Sequence, residues 1–123
     1  MRKSKINISG FKIGTAENRE GLTGVTVILA PDGGATAGVD VRGCAPGTRE
    51  TDLLDPRKTV QKIHAVVLSG GSAFGLEAAS GCVKYLAEQG VRFPIGNVCV
   101  PIVCSAVLFD LMIGDEKAYP DLL

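Results

Sequence analysis

Residues 63–72 read IHAVVLSGGS, a mostly apolar run that closes with two glycines between two serines. The apolar, β-branched part predicts a strand that ends at Leu68. The two glycines predict a sharp turn directly after it. Because nearly every position of this strand is apolar, we expect it to lie in the centre of a sheet.

The residues after this turn predict an α-helix from Ala73 to Gln89. Its apolar side chains fall into two adjacent stripes, whereas a helix packed on one side has a single stripe, so we expect it to be covered on two sides. Ser72 is a suitable N-cap residue, and Gly90 suits the position just after the helix. The two stripes are Leu76, Ala79, Val83 and Leu86, and Ala78, Cys82 and Tyr85.

The first third of the chain contains a second strand signal. Residues 24–30, GVTVILA, are short and β-branched, and they run into the turn formers of residues 31–34. Residues 36–42 lead back from that turn, and we expect them to form an antiparallel hairpin with this strand. A short strand is also expected near residues 11–14.

In two further segments the apolar residues follow neither a helical nor a strand periodicity. Residues 43–60 are rich in turn formers and charge, which predicts a long loop with room for one helical turn. Pro101 excludes an unbroken central strand over residues 98–111. That part therefore predicts a loop or edge segment, followed by the start of a strand or helix near residues 106–111.

Composition limits the function classes. The chain has 123 residues, 46% of them hydrophobic, which suits the packed core of one domain. Lys and Arg total 13, as do Asp and Glu, so the formal net charge is zero and nucleic acid is not an expected partner. Weak self-repulsion favours assembly, and we expect a homo-oligomer. No run has the length of a signal peptide or a membrane span, so we expect a cytoplasmic protein without membrane association.

The four cysteines and the single histidine form no recognisable metal motif. No C-x-x-C pair is present, and His64 is distant in sequence from the cysteines. We therefore expect no metal site. Three of the cysteines lie within apolar patterns, which favours buried thiols over disulfides.

The turn at residues 69–75 has more than one interpretation. Exposed backbone N–H groups at a strand-to-helix junction could hold an anion or a carboxylate, while a plain turn capped by Ser72 explains the same residues. Ser72 is a poor match for the nucleophile of a hydrolase elbow, because Phe74 stands where that motif needs glycine. A Ser72–His64 catalytic pair is also disfavoured, because His64 belongs to the preceding strand.

Five motifs occur in an order that is typical of one enzyme family. They are GVTVI at 24–28, GVDVRG at 38–43, APGTRET at 45–51, LSGGSAFGL at 68–76 and VLFDL at 107–111. Together they resemble the L-aminopeptidase/D-esterase family, which also contains β-peptidyl aminopeptidases and nylon-oligomer hydrolases. The resemblance covers nearly the whole chain.

This resemblance implies an α/β (α+β) fold with two stacked sheets between helical layers, a four-layer αββα sandwich. Residues 1–123 would form the N-terminal part of a single such peptidase domain, truncated before the nucleophile. It also implies a precursor that cleaves itself and exposes a Ser or Thr as the first residue of a second chain. That residue hydrolyses amides through an acyl-enzyme, with its own α-amine as the base. No metal or organic cofactor is implied.

The resemblance also suggests where the substrate lies. No catalytic residue is expected within this chain, so the isolated chain should be inactive. Phe109 stands where nylon-oligomer hydrolases carry an active-site tyrosine, and without a hydroxyl it can only form an apolar wall. The substrate pocket is expected to include Phe109, Gly70, Gly71 and Ser72.

The expected partners are a small peptide or amide substrate and the C-terminal segment or chain of the same precursor. Two other interpretations stay open. The chain could be a non-catalytic truncated homologue that acts as a structural or binding module, or a small hydrolase that uses Ser72.

Overall fold

The computed structural model describes residues 8–91, 93–115 and 118–120, which form a five-stranded mixed sheet, a two-stranded hairpin and one α-helix. The strands are β1 (Lys12–Asn18), β2 (Thr23–Leu29), β3 (Thr48–Arg49), β4 (Ala65–Ser69), β5 (Phe93–Ile95), β6 (Val98–Val100) and β7 (Val103–Val107), and the helix is α1 (Ala78–Glu88). The large sheet has the order β1-β2-β4-β7-β3, and β5 pairs with β6. A mixed sheet with a packed helix is an α+β fold, as predicted.

Strand β4 lies in the middle of the large sheet, which confirms the prediction made from its apolar run. It pairs antiparallel with β2 and parallel with β7, so both of its edges are hydrogen-bonded. Val67 at its centre has 0% solvent exposure. The central strand is therefore buried by its neighbours along both edges and by α1 on one face.

The predicted hairpin between residues 24–30 and 36–42 is wrong. Strand β2 pairs with β1 on one edge, from Lys12 opposite Leu29 to Asn18 opposite Thr23, and with β4 on the other. No edge of β2 is left for residues 36–42, which form no strand. The short strand expected near residues 11–14 is the true hairpin partner, and it is longer than predicted.

The predicted helix from Ala73 to Gln89 is present, but it begins as a 3-10 helix at Ser72–Glu77 and becomes α-helical only at Ala78. The tight start follows from a close backbone approach, because a Cβ on Gly75 would overlap the Gly70 carbonyl oxygen. Only part of the second stripe is covered. Ala78 and Cys82 are buried, whereas Tyr85 is 51% exposed.

Gly90 ends the helix as predicted. It has φ of +74°, a left-handed conformation that glycine adopts without a steric penalty. The Gly90 N–H donates to the Ala87 carbonyl at 3.1 Å, and the Val91 N–H donates to the Leu86 carbonyl at 2.9 Å. This pair of bonds is a Schellman motif, which satisfies carbonyl groups that the end of a helix leaves free.

Pro101 separates β6 from β7, in agreement with the expected break. Strand β7 nevertheless begins at Val103, earlier than the expected start near residue 106, and it lies inside the sheet between β4 and β3. Its alignment is set just after the proline, where the Ile102 N–H donates to His64 Nδ1 at 3.0 Å and the His64 N–H donates to the Ile102 carbonyl at 2.8 Å.

One face of the large sheet is covered by α1, and the other face is exposed. On one face, Ala65, Val67 and Val103 pack against Ala79 and Leu86 of α1 to form the core. On the other face, Leu68 is 46% exposed although it belongs to the central strand. We call this second surface the open sheet face, and its central row, given by the strand register, is Thr15, Thr26, Leu68 and Ala106.

The loop at residues 43–60 contains a 3-10 turn at Asp52–Leu54, as the sequence allowed, together with β3. Arg49 of β3 donates from its guanidinium to the Ser80 hydroxyl of α1. All four cysteines are free thiols, and those at positions 82 and 104 are buried. Across the described ranges, no helix is long and apolar enough to span a bilayer.

His64 should make the stability of the fold depend on pH. Burial lowers the pKa of its imidazole below the usual 6.5, and Nδ1 must stay unprotonated to accept the Ile102 N–H. A depressed histidine pKa means that the unfolded chain binds the proton first, so stability should fall as the pH drops below about 6.5.

We expect the urea concentration at the midpoint of unfolding to be lower at pH 5.5 than at pH 7.5. The decrease should be smaller in His64→Asn, whose amide oxygen can accept the same hydrogen bond without titrating. Equal losses in both proteins would contradict this role for His64.

Candidate functional site

Three segments that are distant in sequence meet where the parallel strands β4 and β7 end. They are the Gly70–Ser72 turn after β4, the Leu108–Asp110 segment after β7, and Thr23 at the start of β2. The carboxyl ends of parallel strands are a common place for ligand binding in sheets of this kind. We call this group of segments the carboxyl-end site.

Asp110 joins the three segments through its carboxylate. Its Oδ2 accepts the Thr23 hydroxyl at 2.7 Å, and its Oδ1 accepts the Gly71 N–H at 2.7 Å. The absence of a side chain at position 70 makes room for this arrangement, because a Cβ there would overlap both Asp110 Oδ2 and Thr23 Oγ1.

The backbone N–H groups of Gly70, Gly71 and Ser72 are engaged within the chain. The Gly70 N–H donates to the Gly24 carbonyl at 2.9 Å, the Gly71 N–H to Asp110, and the Ser72 N–H to the Leu108 carbonyl at 3.0 Å. These three groups are therefore not available to hold an external anion. A carboxylate does lie at the turn, but the chain supplies it from a residue that the sequence places far away.

Ser72 is not the N-cap that the sequence predicted. Gly71 occupies that position with φ of +85°, and Ser72 is the first residue of the 3-10 helix with φ of +51°. The N-cap is therefore one residue earlier than predicted. Residues 71 and 72 are both left-handed, and the helix begins directly after Gly71. No hydrogen bond of the Ser72 hydroxyl is found within the described ranges.

Ser72 and His64 do not form a catalytic pair. They lie beyond opposite ends of β4, on the order of 20 Å apart along an extended strand. The imidazole also accepts the Ile102 N–H through Nδ1, so that nitrogen is already in use as an acceptor.

A cavity of about 1150 Å³ lies beside the carboxyl-end site on the open sheet face. Thr23, Gly70, Leu108 and Asp110 line it at one end, and Thr26 with its neighbours in the sheet forms the floor. Of the pocket residues predicted from the sequence, Gly70 lines the cavity directly. Gly71 and Ser72 follow it in the same turn, outside the lining.

Phe109 directly follows Leu108, which lines this cavity, but Phe109 is not itself a lining residue. The Phe109 side chain is 64% exposed and that of Leu108 is 62% exposed, so neither belongs to the core of the described chain. Leu22, which also lines the cavity, has φ of +51°. Left-handed non-glycine residues cost energy and cluster at functional sites. Of the three among the described residues, Leu22 and Ser72 lie at this end of the sheet, and Glu50 follows β3.

The two buried thiols offer no activated nucleophile. Burial, with a smaller effect of the Glu50 charge, raises the pKa of the Cys104 thiol to about 11, and burial also raises the pKa of Cys82. Both therefore stay protonated at neutral pH, whereas the thiolate is the reactive form. Among the described residues, no group of three or more His, Cys, Asp or Glu side chains could hold a metal ion.

The sequence pointed to one half of this site. The glycine turn was predicted from its own motif. Asp110 belongs to the VLFDL motif at 107–111, from which only Phe109 was predicted to be a pocket residue. A carboxylate directly after a strand was the signal that could have found Asp110. No local sequence pattern marks Thr23 as a site residue, because its role depends on a hydrogen bond to Asp110, which lies 87 positions further along the chain.

The chain is similar to known peptidases over most of its length. The model of peptidase family S58 matches residues 5–119. An uncharacterized aminopeptidase of Mycobacterium leprae is 54% identical over 99 residues, 79% of this chain and 26% of that protein. One from Mycobacterium tuberculosis is 50% identical over 97 residues, 79% of this chain and 28% of the relative.

A 6-aminohexanoate-oligomer endohydrolase from a Kocuria species is 35% identical over 117 residues, which are 95% of this chain and 30% of that enzyme. The chain thus spans less than a third of the length of each of these curated relatives.

The packing at Gly70 gives a direct test of the carboxyl-end site. Gly70→Ala should destabilise the chain by about 1–3 kcal/mol, because its methyl group displaces the Asp110 carboxylate and the Thr23 hydroxyl. Gly38→Ala is the matched control, since a Cβ there meets no atom within 4 Å. Thermal or urea unfolding of both variants measures the difference, and a Gly70→Ala protein as stable as the control would show that the site is looser than described.

Proposed function

Because this chain belongs to peptidase family S58, we propose that it is part of an amide-bond hydrolase and supplies the scaffold and one wall of the substrate pocket. The match over residues 5–119 carries this proposal. The relatives named aminopeptidase and 6-aminohexanoate-oligomer endohydrolase support it, because both names describe the hydrolysis of amide bonds.

The proposed pocket wall consists of Phe109 with Gly70, Gly71 and Ser72. Its proximity to the cavity supports this assignment, since Gly70, Leu108 and Asp110 line that cavity and Phe109 stands between the last two in sequence. The cavity has an apolar and threonine-rich floor, which suits the uncharged backbone and side chain of a small peptide or amide.

The nucleophile is proposed to be a Ser or Thr outside this chain, exposed when the precursor cleaves itself. In this mechanism the new α-amine takes the hydroxyl proton and the oxygen attacks the amide carbonyl. The C–N bond then breaks, the amine leaves with that proton, and water hydrolyses the resulting acyl-enzyme to release the carboxylic acid. The short span of the chain relative to its relatives supports a nucleophile elsewhere. Within the described residues, the single histidine is hydrogen-bonded to backbone and not to a hydroxyl.

The part of the open sheet face outside the cavity is proposed to pack against the C-terminal segment or chain of the same precursor, with a second sheet completing the four-layer sandwich. Ile13 is exposed on that part and does not line the cavity, and its burial would stabilise the assembly. A homo-oligomer in the cytoplasm is part of the same proposal, supported by the zero net charge and the free thiols.

Among possible substrates, we propose a peptide with a free amino terminus. The higher identity to the two mycobacterial aminopeptidases, 54% and 50% against 35% for the oligomer endohydrolase, supports this choice.

A chimera tests the proposed function. In it, this chain replaces the N-terminal part of the Mycobacterium leprae relative, the part that contains the 99-residue match. We expect the chimera to cleave into two chains with a Ser or Thr at the new N-terminus, seen by gel and mass spectrometry, and to hydrolyse aminoacyl p-nitroanilides. The 123-residue chain alone should be inactive.

Other results would favour other functions. A chimera that folds but neither cleaves itself nor hydrolyses the anilides would favour the structural or binding module. Activity of the chain alone that Ser72→Ala abolishes would favour the small hydrolase that uses Ser72.

Phe109 is the pocket residue whose role can be tested most simply in this chimera. Phe109→Ala should lower kcat/KM by about tenfold through loss of apolar contact with the substrate, and Phe109→Tyr should retain most activity. Met112→Ala is the control, because Met112 is highly exposed in the same segment. If all three variants process themselves and turn over like the parent, Phe109 is not part of the pocket.

A further inference from the structure

We infer that Asp110 is a positioning residue, whose carboxylate holds the Gly70–Ser72 turn and Phe109 in the one arrangement that shapes the substrate pocket. The inference rests on the proposed function, because the pocket is that of the proposed hydrolase. Asp110 acts through the turn and not on the reacting atoms.

The hydrogen bonds of Asp110 connect three segments that are distant from one another in sequence. Thr23 is the first residue of β2 and is fixed by the sheet, whereas Gly71 lies in the turn. The carboxylate accepts from both at 2.7 Å, in the short range of charge-assisted hydrogen bonds. The turn is therefore tied to the sheet through a side chain of a third segment.

The segment around Asp110 has little burial to hold it. Leu108, Phe109, Met112 and Ile113 are all exposed, so their side chains contribute little packing energy. The backbone bonds of Leu108 to Ser69 and Ser72 fix the chain just before Phe109. The two carboxylate bonds fix it just after Phe109, and together they determine where that ring lies.

The space around the carboxylate is filled. A methyl group on Gly70 would overlap both Asp110 Oδ2 and Thr23 Oγ1, and all three residues line the cavity. Removing the carboxylate therefore opens space at the cavity wall and removes the Gly71 bond, one of the three backbone N–H bonds that hold the turn. Both changes weaken discrimination between small and large substrate side chains.

The first test measures the tether in the 123-residue chain itself. In Asp110→Ala, the Gly71 amide should exchange its hydrogen at least about tenfold faster, because it loses a charge-assisted bond. Asp110→Asn should keep slow exchange, since its amide oxygen can accept the Gly71 N–H and its amide nitrogen can donate to Thr23. Asp32→Ala, in an exposed turn at the far end of β2, is the control. Unchanged exchange at Gly71 in Asp110→Ala would overturn the inference.

The second test measures substrate discrimination in the chimera, as the ratio of kcat/KM for alanyl and leucyl p-nitroanilides. Asp110→Ala and Thr23→Val should reduce this ratio by roughly tenfold, while Asp110→Asn and Thr23→Ser should preserve it. Leu86→Ala, which destabilises the core, is the control for a merely structural effect and should leave the ratio unchanged.

The two tests separate the inference from the function on which it rests. A chimera without any activity counts against the proposed function, and the Gly71 exchange then decides whether the tether exists. An active chimera whose ratio is the same in Asp110→Ala and in the parent overturns the positioning role, whatever the exchange rates are.

Discussion

The parallel pairing of β4 with β7 is the constraint on which the rest of this structure depends. Parallel strands cannot be joined by a tight turn, so the chain must cross over between them, and here α1 and the β5–β6 hairpin make up that crossover. The helix covers one face of the sheet and leaves the other open. The same pairing brings the ends of β4 and β7 to one edge, which places the glycine turn beside Asp110.

The strongest local patterns were predicted correctly from the sequence. The apolar run that ends in β4 is central because both of its edges need partners, and Gly90 ends the helix because the left-handed conformation there suits glycine. The hairpin failed for a non-local reason. Nothing in residues 36–42 reveals that β1 and β4 have already taken both edges of β2.

At the candidate site, too, local sequence predicted the turn but not the distant residue that contacts it. Spacing within residues 69–75 identified a turn that suits a carboxylate, and the structure places the carboxylate of Asp110 there. What the spacing could not show is that the carboxylate comes from the chain itself, 39 positions away. The prediction that Ser72 is the cap failed by one residue, because the backbone conformation at Gly71 decides where the helix begins.

The close approach at Gly70 also has an evolutionary consequence. The side chains at positions 23 and 110 and the bare Cα at position 70 share one volume, so a change at any of the three alters which residues are acceptable at the other two. Homologues that keep Thr and Asp are restricted to glycine at position 70. A lineage that replaces the acid with a smaller residue is released from that restriction, and the three positions should therefore co-vary across the family.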